Sequence, residues 1–372
     1  MRPSSIPCLL AIVLALSACG PAPTPEVTDT PVLVLPTMAP FPSATGTNQP
    51  NATPDCPNPD CIFITPSGGT PVPLRFDLPT PGSEPISAWR PPQYPVPLAL
   101  GPYDHFYFAR PIAADEVNWP IADYRYGGTF LSKTVTHSGV DIDAKYGTPV
   151  LAAGPGTVVW AGWGLFSLTP DNISDPYGMA VAIRHDFGYQ GKPLYTVYAH
   201  MSAVDVAAGE WVDTGTQLGN VGDTGHVTGP HLHFEVRLGE NTYYSTRNPE
   251  LWLAPAQGWG VLAGRIVDDQ GKLSYSTPVF IDSLSVRHEW IVNTYGPGAA
   301  NSDAYYNENM VISDLPAGAY RVQIVVGDKT FKLNVVVFPG RVTFFSFHGA
   351  RGFSTTPPPT PSMFEAAATA TP

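Results

Sequence analysis

The chain has 372 residues, enough for two ordinary domains with tails, and its 43 prolines, 35 glycines and 13% charged residues argue against long solvated helices. Lys+Arg 19 against Asp+Glu 31 gives a net charge of -12, which excludes adhesion to nucleic acid or to anionic polymers through overall charge. Any contact with anionic material has to come from a local site.

The N-terminus reads as an export signal. Arg2 supplies a thin positive region, and Ile6 to Leu16 is an apolar core far shorter than the ~20 residues of a membrane span. Leu16-Ser17-Ala18-Cys19, followed by Gly20, resembles a bacterial lipobox. That resemblance implies a signal peptide over 1–18 and Cys19 as a lipid-modified first residue, anchoring the chain to the outer side of a bacterial membrane. Cys8 then leaves with the signal, and Cys56 and Cys61, in DCPNPDC, remain as a pair expected to form a short-loop disulfide.

Residues 19–60 are rich in Pro, Thr and Ala without hydrophobic periodicity, which predicts an extended tether. Residues 61–100 carry short apolar runs broken by proline, such as PVPLRFDLP, expected to lie along the next domain. From about Gly101 to residue 257 the texture changes to short strands and glycine turns. GTPVLAAGPGTVVWAG (147–162), GMAVAIRH (178–185), PLYTVYAH (193–200) and GEWVDTGTQLGNVG (209–222) all read as strand or strand-turn-strand, and none shows a helical stripe. Residues 260–350 alternate strands with turns, predicting a small antiparallel sandwich. Around LPAGAY (315–320) it resembles the carboxypeptidase-regulatory or transthyretin-like fold. It reads as a spacer or binding accessory. The tail, 351–372, returns to Pro/Thr/Ala composition and is expected to be disordered. The fold class is therefore all-β: a β-sheet domain, a small β-sandwich and disordered tails.

The chemistry concentrates in two stretches. GPHLHFEV ends in an extended run that puts His231 and His233 on one face, since residues two apart on a strand project together. Upstream, THSGVDIDA holds His137 and Asp141 four apart, also an even spacing. Two imidazoles and a carboxylate make three zinc ligands and leave a fourth tetrahedral position for water, the pattern of catalytic zinc. His200 stands alone at the end of TVYAH.

In this order and spacing the histidines and aspartate resemble the lysostaphin/LytM-type family of zinc metalloendopeptidases, which cut bacterial peptidoglycan. HSGVDIDAKYGTPVLAAGPGTVVWAG and VGDTGHVTGPHLHFEV carry the likeness, over about residues 118 to 252. The resemblance implies Zn2+ held by His137, Asp141 and His233, with His200 and His231 as the catalytic histidines. The sequence leaves open which of those two is the general base. The implied substrate is a peptidoglycan peptide, in a stem or a cross-bridge, and the chain is expected to act as a monomer.

Bland readings stand beside these. His105, His185, His288 and His348 read as surface or loop residues, and Asp143 shares the parity of Asp141 without matching the family's ligand position. His226 is a candidate groove residue. Glu235 either orients a histidine or ends a strand at the surface. A non-catalytic regulator of wall amidases or a wall-binding module on the same fold is the competing function, disfavoured by the intact set of five positions. An adhesin built on the sandwich is a third, with no supporting motif. Some relatives block the fourth zinc position with an N-terminal segment, and the Pro-rich stretch before Gly101 is the candidate for that role here.

Overall fold

Alternating apolar residues and positive-φ glycines at the turns commit the chain to strands. The computed structural model describes residues 93–101, 103–112, 124–129, 135–285 and 287–354, and their regular structure is strand with only short 3-10 turns. The export signal, Cys19, the tether and the Cys56–Cys61 pair lie outside the described residues, as does the tail beyond 354. Among the described residues no helix is long and apolar enough to cross a membrane.

The first lobe is a nine-stranded sheet. Its strands are β1 (Val140–Asp143), β2 (Pro149–Leu151), β3 (Gly156–Trp163), β4 (Met179–Tyr189), β5 (Lys192–Val204), β6 (Trp211–Val212), β7 (Gln217–Val221), β8 (His231–Leu238) and β9 (Thr246–Arg247). The order is β1-β8-β5-β4-β3-β6, with β7 paired to the far end of β5 and to β2, and β9 paired to β8. β5 is the spine. Leu194 to Ala199 pair with β8, whereas Met201 to Val204 pair with β7, so the strand changes partner at His200.

The second lobe packs two four-stranded sheets face to face. β10 (Trp259–Val267), β13 (Met310–Pro316), β16 (Val342–His348) and β17 (Gly352–Ser354) form one sheet. β11 (Pro278–Ser283), β12 (Glu289–Asn293), β14 (Gly318–Val326) and β15 (Lys329–Val337) form the other. Their core contains Leu262, Ile281, Ile312, Val322, Phe345 and Phe347. One pairing departs from the antiparallel expectation: β10 and β16 run parallel.

The lobes share apolar core. Val261, Ala263, Tyr295, Tyr306 and Val311 of the second lobe belong to the same buried cluster as Phe234, Val140 and Tyr198 of the first. Residues 93–112 are sewn into it. Phe106 and Phe108 are buried, and Phe108 exchanges backbone hydrogen bonds with Trp252 and Ala254. The buried ion pair of Arg110 with Asp314 crosses the same boundary, and Glu250, paired with Arg125 within the first lobe, accepts Ser313 N–H of β13 at 2.6 Å.

Candidate metal centre and its cleft

β1 and β8 pair in a register that sets Asp141 opposite His233 and Asp143 opposite His231. The pleat then turns His231, His233, Glu235 and Arg237 to a single face of β8. His137 comes before β1 begins, so strand parity does not place it. Its backbone is held instead by the 125–128 loop, through Gly127 N–H to His137 O and His137 N–H to Gly128 O, both 2.8 Å.

These elements bring three donor atoms together. His137 Nε2 lies 3.0 Å from Asp141 Oδ1 and 3.0 Å from His233 Nδ1, and His233 Nδ1 lies 2.8 Å from Asp141 Oδ1. All three residues are buried, and among the described residues they form the one cluster of this kind. Tetrahedral donors at about 2.0–2.1 Å from a zinc ion stand roughly 3.3 Å apart, so the spacing and the His2Asp chemistry fit that ion.

Neighbours fix which ring nitrogens face inward. His137 Nδ1 donates to Arg125 O at 3.1 Å, which leaves Nε2 with its lone pair toward the cluster. His233 Nε2 donates to Glu235 Oε1 at 3.1 Å, which leaves Nδ1 free in the same way. Glu235 is completely buried and saturated. Its Oε1 also accepts from Ser138 Oγ and Tyr177 OH, each at 2.5 Å, and its Oε2 accepts from Arg237 Nε at 2.6 Å. Arg237 continues to Tyr177 OH at 3.1 Å and Asn241 Oδ1 at 2.9 Å.

The electrostatics favour a cation among the three donors. Burial alone would raise the Glu235 carboxyl, but Arg237 and His233 bring it down to about 2. Burial likewise opposes the Asp141 carboxylate, and His137 and His233 outweigh it, holding its pKa well below the ordinary value. Burial would lower His233, yet Asp141 and Glu235 lift it to about 9. Two carboxylates and one guanidinium thus leave a net negative pocket, suited to a proton or a divalent cation.

His200 and His231 flank this cluster. Their rings are 4.8 Å apart, and His200 is 5.7 Å from the His233 ring. His200 has φ +62°, uncommon for a residue other than glycine. Between Tyr198 and Met201 the pairing with β4 slips by one residue, a bulge that re-aims the His200 side chain. Its N–H donates to Tyr177 O at 2.9 Å and its Nδ1 to Thr224 O at 2.8 Å. His231 Nδ1 donates to Gly229 O at 2.9 Å, and its Nε2 is 3.5 Å from Asp141 Oδ2. Burial, reinforced by His233 and His231, pushes His200 down to about 3. Burial also lowers His231, with Asp141 pulling the other way. Both rings are neutral at neutral pH, with Nε2 able to take a proton.

The cluster opens into a cleft of about 1000 Å³. Its aromatic wall runs Tyr244–Tyr243–Phe166–Tyr177–His233 with successive ring centroids 5.2, 5.5, 5.4 and 5.6 Å apart. Asp175, fully buried, pins the loop behind Phe166 by accepting from Ser167 N–H, Ser167 Oγ and Tyr177 N–H at 2.8, 2.7 and 3.1 Å.

The five residues expected from sequence come together here. His226 lines the cleft, Asp143 is exposed and outside the cluster, and Glu235 takes the orienting position. Two bland readings are corrected. His185 is buried, its ring held between Pro155 O at 2.9 Å and Thr196 Oγ1 at 2.9 Å, and burial lowers it to about 4. His105 is buried against Asp303 at 3.3 Å. Sequence reasoning missed Ser138, Asp175, Tyr177, Thr224 and Arg237. Only Arg237 had a signal, since it continues the every-second-residue series of β8.

Residues 135–245 match the profile of Peptidase family M23. The chain is 41% identical over 102 residues to the DD-carboxypeptidase/endopeptidase Mpg of Neisseria meningitidis serogroup B, a match covering 27% of this chain and 20% of that protein. It is 38% identical over 101 residues to the cell division protein DipM of Caulobacter vibrioides, covering 27% of this chain and 14% of that one. Among solved structures, the catalytic domain of lysostaphin from Staphylococcus simulans aligns at 29% identity over 34% of this chain and 86% of its own, with a TM-score of 0.28.

Proposed function

We propose that this chain, through its M23-type domain, is an exported zinc endopeptidase that hydrolyses peptide bonds in bacterial peptidoglycan. The observation that carries the reading is the convergence of His137 Nε2, Asp141 Oδ1 and His233 Nδ1 under two neutral imidazoles at the floor of a cleft. The names of two relatives support the substrate class, the DD-carboxypeptidase/endopeptidase of Neisseria meningitidis and the peptidoglycan DD-endopeptidase ShyA of Vibrio cholerae.

In this reading His137, Asp141 and His233 hold Zn2+, which when bound acidifies water and polarises a carbonyl. The chain's own residues supply the proton handling. A peptide lies in the cleft with its scissile bond over the two outer histidines. Nε2 of His200 or His231 takes the proton of the attacking water, and the resulting imidazolium returns a proton to the leaving amine. The carbonyls of Thr224 and Gly229 hold the Nδ1 protons, so each ring keeps the tautomer the exchange requires. The aromatic wall and the pinned 164–178 loop narrow the access of bulk water and align the peptide.

The lipobox-like Leu16 to Cys19 supports a membrane-anchored location, with the Pro-rich segment as tether and the chain acting as a monomer. Full-length chain supplied with zinc should generate new amino termini from purified peptidoglycan, seen by mass spectrometry. His137→Ala should lose both zinc and cleavage, and His200→Ala should keep zinc while cleavage falls by about 10²–10⁴-fold. Normal cleavage by His200→Ala would contradict the role given to it, and zinc binding without any cleavage by the unmutated chain would favour the non-catalytic function.

A further inference from the structure

The segment Thr294–Asn301, between β12 and β13 of the second lobe, reaches across to the loop that carries His137. Gly296 N–H donates to Gly127 O at 2.7 Å, Thr136 Oγ1 donates to Pro297 O at 2.7 Å, and Asn301 N–H donates to Tyr126 OH at 2.8 Å. Those three acceptors and donors belong to the described stretches 125–129 and 135–137, a shelf that brackets His137. The same shelf supplies the Arg125 carbonyl that fixes the inward nitrogen of that ligand.

The fit is tight. Gly127 has φ +79°, and a Cβ there would stand 2.5 Å from the Tyr295 ring; a Cβ on Gly296 would stand 2.1 Å from Thr129 Cγ2. Neither surface can shift alone. The Arg125 guanidinium is tied to Glu250, whose Oε2 also accepts Ser313 N–H of β13 at 2.6 Å. Asn301 acts on the cleft as well, since its side-chain amide donates to Tyr244 O at 2.9 Å and Thr246 O at 3.1 Å. Tyr244 is the outer end of the aromatic wall.

We propose that the Thr294–Asn301 segment is a positioning element of the metal centre and of its cleft wall, with Asn301 as its central residue. Asn301 touches neither a ligand nor the cleft. Its backbone N–H works through Tyr126, which steadies the shelf under His137, and its side-chain amide works through the backbone of Tyr244. The second lobe is on this view a working part of the site. The proposal rests on the zinc-peptidase reading.

The test uses the full chain, with zinc affinity measured by chelator competition and KM and kcat measured on peptidoglycan fragments. Tyr126→Phe, which removes the acceptor of the Asn301 N–H, should weaken zinc binding about threefold to tenfold, below the roughly 10–100-fold expected for a direct partner of a ligand. Asn301→Ala, which removes the amide bonds to Tyr244 O and Thr246 O, should raise KM. Ile324→Val, in the second lobe's own core, should lower Tm and leave zinc affinity and KM unchanged. Wild-type zinc affinity in Tyr126→Phe together with wild-type KM in Asn301→Ala would overturn the proposal. If Asn301→Ala does not fold, Thr136→Val against Thr136→Ser decides: weakening in the valine variant alone supports the brace, and wild-type affinity in both overturns it. Absence of zinc binding by the unmutated chain would instead remove the peptidase reading itself.

Discussion

Glu235 shows how much a single side chain can hold. Its two oxygens receive His233, Ser138, Tyr177 and Arg237, so it orients the His233 ring and neutralises a buried guanidinium together. Glu235→Gln keeps the shape but leaves Arg237 charged and unpaired in the interior. The expected cost is about 3–5 kcal/mol of stability, read by denaturant unfolding, with zinc affinity falling about 10–100-fold. The linkage follows from the depressed pKa. A carboxyl at about 2 when folded, against its ordinary 4.5, contributes stability that is complete above the unfolded value and lost as pH falls from there through 2. His233 gives the opposite sign for the metal. With its pKa lifted to about 9, binding a cation displaces a proton, so zinc affinity should rise about tenfold per pH unit up to about pH 9 and then level off. A flat profile between pH 6 and 8 would contradict that assignment. At this scale the sequence was readable where period-2 spacing and a known motif coincided, as at His231, His233 and Asp141. Tyr177 and Ser138 were not, because they reach Glu235 from 58 and 97 residues away in sequence.

At the scale of elements, the site is built where β5 changes partner from β8 to β7. That switch needs a bulge, and His200 sits in it with φ +62°. Glycine turns and short apolar runs made β1 to β8 legible. The bulge was not, since a one-residue slip is a property of the pairing and neither strand shows it alone. The 164–178 loop is the other element that matters. Asp175 ties its two ends together behind Phe166 and Tyr177. Asp175→Ala should free the aromatic wall, raising KM several-fold, about 1 kcal/mol in binding, with little change in zinc affinity. An unchanged KM would show that the wall does not meet substrate.

The molecule as a whole departs most from the picture of separable modules. Sequence composition suggests a catalytic domain and an appended sandwich, and the strand texture of both is visible in the chain. Their shared interior is not, because alternation along β10 says which residues are buried and not what buries them. Val261, Ala263, Tyr295 and Val311 fill the first lobe's cluster, and the Arg110–Asp314 pair and the Ser313 N–H bond to Glu250 seal the seam. The two lobes should therefore unfold in one calorimetric transition, and a chain ended after residue 257 should expose apolar core and aggregate. Two separated transitions would contradict the shared core.

The central claim is a metal ion held by two imidazoles and one carboxylate with a position left open. Diffraction from crystals of the zinc-loaded chain, recorded at the zinc absorption edge, tests it most directly. The account predicts an anomalous peak about 2.0–2.2 Å from His137 Nε2, His233 Nδ1 and an Asp141 oxygen, with no fourth side chain bonded. A peak elsewhere, none at all, or a coordination sphere closed by a fourth protein ligand would contradict it.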